Sequence, residues 1–357
     1  MATTAPVLIR TFAAVGRITL NRPDALHALN TDMCRAMLAA LLSWRDDPTV
    51  EAVLIDHAEG TRGFCAGGDI RMLSAAADSA AGEAAARDFF FTEYRMNWLL
   101  REFGKPIVCV VDGVVMGGGV GVALPCRFRI ATERTTFAMP ESAIGLFPDV
   151  GGGWWLPRLP GRTGVWLALT GARLKAADCV ALGIATHFVP ADGVAAFKAE
   201  LLAGAPAAHW IEDLLERHAS DPGPAPLAER RAEIDRLFAS DRLEDIFAAL
   251  RADGSEWANA QLALMERNSP QAMKVALRQL SVGACTASFA EVMAMEYRLA
   301  TRVVLKPDFR EGVRSVLVDK DGRAAWSPAT PEAVDEALLD SLFAPLPGDQ
   351  EWTPPPI

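Results

Sequence analysis

No two of the six cysteines, Cys34, Cys65, Cys109, Cys126, Cys179 and Cys285, stand in a CxxC or CxxH arrangement. A metal centre is therefore not signalled. In a chain of 357 residues, scattered cysteines read as buried reduced thiols. The sequence also lacks a Lys/Arg-rich block, and its formal net charge is −10. That balance sets the chain against nucleic-acid backbones. No run approaches the ~18 apolar residues that cross a bilayer. MATTAPVLIRTF has no basic segment leading into an apolar one. These absences give the expectation of a cytoplasmic protein without a metal or a nucleic-acid or membrane partner.

What is present points to a folded chain. Apolar residues make up 51% and charged residues 22%, against disorder. The length suits one large domain or two ordinary ones. VLIRTFAAVGRITLNRP reads as a hairpin with Gly16 at its turn. HALNTDMCRAMLAALLSWRDD carries Met33, Met37, Leu38, Leu41 and Leu42 at helical spacing. VEAVLIDHA is a strand, GTRGFCAGGDI a Gly-rich loop entering a helix, and AARDFFFTEYRMNWLLREF an amphipathic helix. KPIVCVVDGVVMGGGVGVALPC reads as strand, turn at Asp112-Gly113, strand, then a glycine cluster opening a helix. FRIATERTTFAMPE gives two further strands. The first part of the chain thus cycles strand, strand, helix.

Near residue 195 the strand signals fade and helices dominate. The division expected is residues 1–195 as a core and 196–357 as a helical region with a tail. Ser220 to Arg231 reads as a loop, Ser269-Pro270 as a helix start, and Asp308 to Glu311 as a capping box. The closing EWTPPPI is expected to wrap the surface or fray.

Three glycine-bearing loops, FCAGGD, VMGGGVG and FPDVGGG, stand near strands, and the first two open helices. Main-chain N–H groups at helix starts lack partners and favour negative charge. Two of them, from two loops, can hold a developing oxyanion. A lone glycine cluster is more often a turn or a packing device, and GGGVG lacks the spacing of a dinucleotide fingerprint. Glu141 sits among Ala143, Ile144, Leu146 and Phe147, surroundings that raise a carboxyl toward general acid/base work.

FCAGGDI, VDGVVMGGGVGVAL and FAMPESAIGLFPDVGGGWWLPRL together resemble the crotonase (enoyl-CoA hydratase/isomerase) superfamily. LALTGARLKAADCVALGIATHFVP continues the resemblance. NSPQAMKVALRQL and MEYRLATRVVLKPDFREGVRSVLVDKDGRAAWSP are similar to the C-terminal region of the superfamily's hydrolase branch. The resemblance implies an α/β fold, a crotonase-like spiral of strand–strand–helix turns with an α-helical C-terminal region. It implies an acyl-CoA substrate, with coenzyme A as part of the substrate rather than a cofactor, and a possible homo-oligomer. It implies an oxyanion hole made by the N–H groups of Gly68 and Gly118.

Departures from the hydratase pattern narrow the expectation. Hydratases carry a glutamate after the glycine run, as GGGxE; here that position is Gly121. Their second glutamate matches Glu141. Where they have a glycine after the proline, this chain has Asp149. Glu93 matches an acidic residue that the hydrolase branch places at the substrate. The implied reaction is hydrolysis of a short 3-hydroxyacyl-CoA, 3-hydroxyisobutyryl-CoA foremost, in valine breakdown. Glu141 would attack the thioester or activate water, and Asp149 would activate water or grip the 3-hydroxyl. Ala66, Gly67 and Ile70 would line the pantetheine path and Leu26 the adenine, with Arg22, Arg62 and Arg71 near the loops that border both. The bulk of Trp154 and Trp155 is expected near the acyl end. A hydratase or isomerase working through Glu141 alone, and a non-catalytic acyl-CoA binder, are the alternatives.

Overall fold

The computed structural model describes residues 5–204 and 207–357. Strands β1 (Val7–Phe12) and β2 (Val15–Leu20) form an antiparallel pair. Strands β3 (Ala52–His57), β5 (Ile107–Val111), β7 (Phe128–Ala131) and β10 (His187–Phe188) extend that pair in parallel, giving the order β1-β2-β3-β5-β7-β10. A second sheet has the order β4-β6-β8-β9, from Gly63–Cys65, Val114–Met116, Thr136–Ala138 and Leu174–Lys175. Successive strands therefore alternate between the two sheets, β3 then β4, β5 then β6, β7 then β8. A helix follows each of the first two pairs. That is the spiral of strand–strand–helix turns expected from the sequence.

The parallel strands read as unbroken apolar runs because both faces are covered. All five residues of IVCVV in β5 are buried. One face packs into the main core. The other meets the helices Val194–Ala203 and Ala208–His218 through Phe197, Leu201, Ile211 and Leu214. The helix Ala80–Arg101 is capped by Ser79, whose hydroxyl accepts from Gly82 N at 3.1 Å. It buries Phe89, Phe90, Glu93, Tyr94, Asn97 and Leu100, a stripe at helical spacing. Two of its polar residues, Glu93 and Tyr94, thereby face the interior.

The change near residue 195 is one of secondary structure. Buried apolar residues before and after it, such as Phe147 and Val275, belong to one core cluster. Several local expectations change. The hairpin turns at Ala13, with φ of 46°, and not at Gly16, which lies inside β2 under the Trp44 ring. Only Gly16 leaves room for that ring; its Cβ would lie 2.6 Å from Trp44 Cε3. Asp308 does not cap a helix. It lies in the first turn of Pro307–Val313 and accepts from Ser269 Oγ at 2.5 Å and Ser327 N at 2.6 Å, tying three segments together. Five cysteines are buried, but Cys285 is exposed at its helix end. The tail packs: Trp352 is buried and its indole N–H reaches Phe91 O, while Arg95 donates to Thr353 O at 2.8 Å.

The helical half touches the site directly. Gly312 packs against the turn Glu141–Ile144, where a Cβ would come 2.4 Å from Ile144 C. Backbone cannot yield that much. Gly312→Ala is expected to cost about 1–3 kcal/mol by overpacking, read as a lower urea midpoint at unchanged slope.

Candidate active site

Three loop segments meet at one cavity of about 240 Å3, beside the helix Ala80–Arg101. They are the loop after β4, the loop after β6, and the segment from Pro140 to Val150. Ala66, Gly67, Gly68, Ile70, Glu93, Gly118, Glu141 and Asp149 all line it. Phe89, Phe90, Leu73, Ile144 and Leu146 add apolar walls, and Val316 and Leu317 close one side from a π-helical turn. Leu26 is not among the lining residues. It has φ of 46° beside the cavity loop, and its carbonyl accepts from Ala66 N at 3.0 Å. Arg22 is engaged by Asp69 at 3.0 Å and by Ala28 O at 2.6 Å, while Arg62 and Arg71 are exposed.

The backbone at Gly117, with φ 47° and ψ −123°, is open only to glycine. This turn brings Gly118 against the loop after β4. A Cβ at Gly118 would lie 3.2 Å from Gly68 N and 2.7 Å from Glu93 Oε1. The N–H groups of Gly68 and Gly118 donate to no main-chain acceptor among the described residues. Two unengaged donors bordering one side-chain-free gap can receive a carbonyl oxygen and the charge that develops on it.

Three carboxyls surround that gap. Glu141 opens a 3-10 turn that Ser142 anchors by donating to Ala168 O at 2.9 Å. Glu141 Oε1 would lie 3.1 Å from a Cβ at Gly117, and its Oε2 is buried without a partner. Glu93 Oε1 is likewise buried and unpartnered. Asp149 is 5% exposed, and the Tyr94 hydroxyl donates to its Oδ2 at 2.8 Å. Burial pushes the carboxyls of Glu93 and Glu141 well above the ordinary value, and the charge of Asp149 adds to both. Burial also raises Asp149, to about 6, while the Tyr94 hydroxyl opposes the rise.

The place where a hydratase-type glutamate would stand is occupied. A Cβ at Gly121 would lie 2.5 Å from Val150 Cβ and 2.9 Å from Asn97 Nδ2. Val150 itself has φ of 52°, a strained conformation for a β-branched residue, immediately after Asp149. The loop that follows is gripped from the helix Phe289–Val303. Glu296 accepts from Gly151 N at 2.7 Å and from Gly153 N at 2.8 Å.

Sequence reasoning singled out neither Tyr94, Asn97 nor Glu296. The signal was periodicity. Glu296 shares the buried stripe of Val292, Met293, Leu299 and Ala300, where a carboxylate is out of place. Trp154 and Trp155 do not line the cavity. They pack on Phe289, with the Arg101 guanidinium 4.9 and 5.4 Å from their ring centroids. The αL turn at Gly151 starts a helix there and carries them away from the cavity.

The chain belongs to the enoyl-CoA hydratase/isomerase family, whose model matches residues 15–343. Within that family its relatives include the mitochondrial 3-hydroxyisobutyryl-CoA hydrolase of Xenopus laevis. The two are 45% identical over 345 residues, covering 95% of this chain and 89% of the relative. The mitochondrial enzyme of that name from Homo sapiens is 42% identical, with 95% and 89% covered. Among solved structures, a carnitinyl-CoA dehydratase from Mycobacterium thermoresistibile superposes with a TM-score of 0.91 at 39% identity, covering 98% of this chain and 99% of that one. An enoyl-CoA hydratase from Rhodobacter sphaeroides 2.4.1 gives 0.88 at 42% identity, covering 98% and 100%. The expected cytoplasmic location is overturned by these relatives, which are named as mitochondrial. That expectation rested on missing signals, and their lack does not separate cytosol from an organelle. No helix among the described residues is long and apolar enough to cross a membrane.

The buried carboxyls make stability depend on pH. The folded Asp149 value lies above the ordinary 3.8, at about 6. Within that window the folded chain keeps a proton that the unfolded chain has lost, so raising the pH through it lowers stability. Asp149→Asn removes this loss. Between about pH 5 and about pH 8 the variant's melting temperature should fall less than that of the unaltered chain.

Proposed function

We propose that this chain hydrolyses a short 3-hydroxyacyl-CoA thioester, 3-hydroxyisobutyryl-CoA foremost, to the free acid and coenzyme A, as a step of valine breakdown. The relatives from Xenopus laevis and Homo sapiens are named for that reaction. The two solved relatives are named for dehydration and hydration, so the choice rests on the site. One observation carries it. Val150 and Asn97 fill the space beside Gly121, and the carboxylate that accompanies Glu141 is Asp149 instead. A water clamp of two glutamates has no room to form.

In this reading the thioester oxygen sits between the N–H groups of Gly68 and Gly118. Glu93, whose carboxyl burial raises above its ordinary value, faces the same gap. Glu141 acts in its ionised form on the carbonyl carbon, by direct attack or through a water it deprotonates. Either route forms a tetrahedral oxyanion, held by the two N–H groups. The coenzyme A thiolate then leaves and takes up a proton; after direct attack, water cleaves the mixed anhydride left on Glu141, releasing the free acid and returning the carboxylate. Asp149 has Oδ2 occupied by Tyr94, leaving Oδ1 to accept from the substrate's 3-hydroxyl. An acyl group without that hydroxyl leaves a buried carboxylate underpaired, a mismatch that discriminates far better than one methylene does. Arg71, exposed and adjacent to the cavity-lining Ile70, meets coenzyme A phosphates in this reading.

The test is thiol release from 3-hydroxyisobutyryl-CoA, with the double bond of crotonyl-CoA followed in parallel. Thiol release with crotonyl-CoA untouched is expected; loss of the double bond without thiol release refutes the proposal. Glu141→Gln should lower turnover on the order of a hundredfold or more while the circular dichroism spectrum stays unchanged. Tyr94→Phe removes a donor that favours ionised Asp149. The acid limb of the kcat/KM profile should therefore move to higher pH than in the unaltered chain.

A further inference from the structure

We infer that Glu296 is a positioning residue that sets where Asp149 stands, and so governs selection for a hydroxylated acyl group. The inference rests on the role proposed for Asp149. Glu296 is fully buried and lies outside the cavity. Each of its contacts is a donor. Its Oε2 accepts from Gly151 N, and its Oε1 accepts from Gly153 N and from Gln279 Nε2 at 2.9 Å. The same Gln279 amide nitrogen donates to Pro148 O at 2.8 Å. The segment from Pro148 to Gly153 is thus held at three main-chain points by side chains of two helices, Pro270–Cys285 and Phe289–Val303. Asp149 stands inside the held segment.

The grip works against strain. Val150 keeps a left-handed φ of 52° and Gly151 one of 91°. A β-branched residue holds such a conformation only when its surroundings impose it. Released, the segment would let Val150 leave Gly121 and carry Asp149 with it. Three converging donors call for a group that only accepts. Burial nonetheless raises the Glu296 carboxyl to about 8, opposed by the two glycine N–H groups. Glutamine at this position would turn an N–H toward an N–H.

The measurement is kcat/KM for 3-hydroxyisobutyryl-CoA divided by that for isobutyryl-CoA. A loss of folded enzyme scales both substrates equally and leaves the ratio alone. Glu296→Gln is expected to lower the ratio on the order of tenfold or more, as displacement of a substrate-gripping group does. In an Asp149→Asn background the same replacement should change the ratio no further, because the two act as one unit. Gln279→Met keeps the volume and removes the amide; it should lower the ratio in the same sense, and decides the matter if Glu296→Gln does not fold. An unchanged ratio in both variants, or a full additional loss in the Asp149→Asn background, overturns the inference. If Asp149→Asn by itself leaves the ratio unchanged, the role proposed for Asp149 fails, and the inference with it.

Discussion

The site depends on how closely two main chains approach one another. Gly118 comes so near the loop after β4 that a Cβ there would lie 3.2 Å from Gly68 N and 2.7 Å from Glu93 Oε1. A single methyl group would occupy the gap between the two donors. The two-sheet spiral produces this approach. β4 and β6 are parallel neighbours in the smaller sheet, so the loops that leave their C-terminal ends lie side by side. Catalytic capacity of the oxyanion kind is then a property of strand order, with glycine required only to keep the space clear.

Around that gap the protein buries several carboxyl groups whose charged forms burial disfavours. Glu93, Glu141 and Asp149 share one apolar cavity, and Glu296 stands behind it. Their environments differ in what each is given to bond. Asp149 has a phenol and Glu296 has three donors, while Glu93 and Glu141 each keep a buried oxygen with no partner. Unpartnered buried oxygens are a cost in the free protein. They are also the atoms left for a substrate to engage. The chain thus departs from the rule of satisfied burial at the two glutamates where chemistry is proposed, while both oxygens of Glu296, which grips the supporting loop, are bonded.

Much of this was legible in residue order. Alternating strand pairs, the glycine loops, and the apolar company of Glu141 pointed to the spiral and to the cavity-lining residues. The strand–strand–helix rhythm survives in sequence because a parallel strand covered on both faces must be apolar throughout. What escaped depends on long-range contact. Tyr94 reads as one more aromatic on a helix, and only the fold brings its hydroxyl to Asp149 across 55 positions. Glu296 lies 145 positions from Gly151. Asp308 has the local pattern of a cap, yet tertiary bonds to Ser269 and Ser327 take its oxygens. Trp154 and Trp155 follow the glycine run in sequence, but a left-handed turn at Gly151 sends them the other way.

The packing of Val150 against Gly121 has a consequence for the chemistry open to this chain. A carboxylate cannot be introduced at position 121 by one replacement alone, because the Cβ would meet Val150 Cβ at 2.5 Å. Val150 would have to shrink first. Glycine there would relieve the left-handed backbone, but it would empty a buried site before any new side chain arrived to fill it. Two changes are needed, and the intermediate between them has neither the packing of this chain nor the second glutamate of a hydratase. The valine therefore works as a lock: in this chain paired-glutamate chemistry is closed off by packing as well as by the missing side chain.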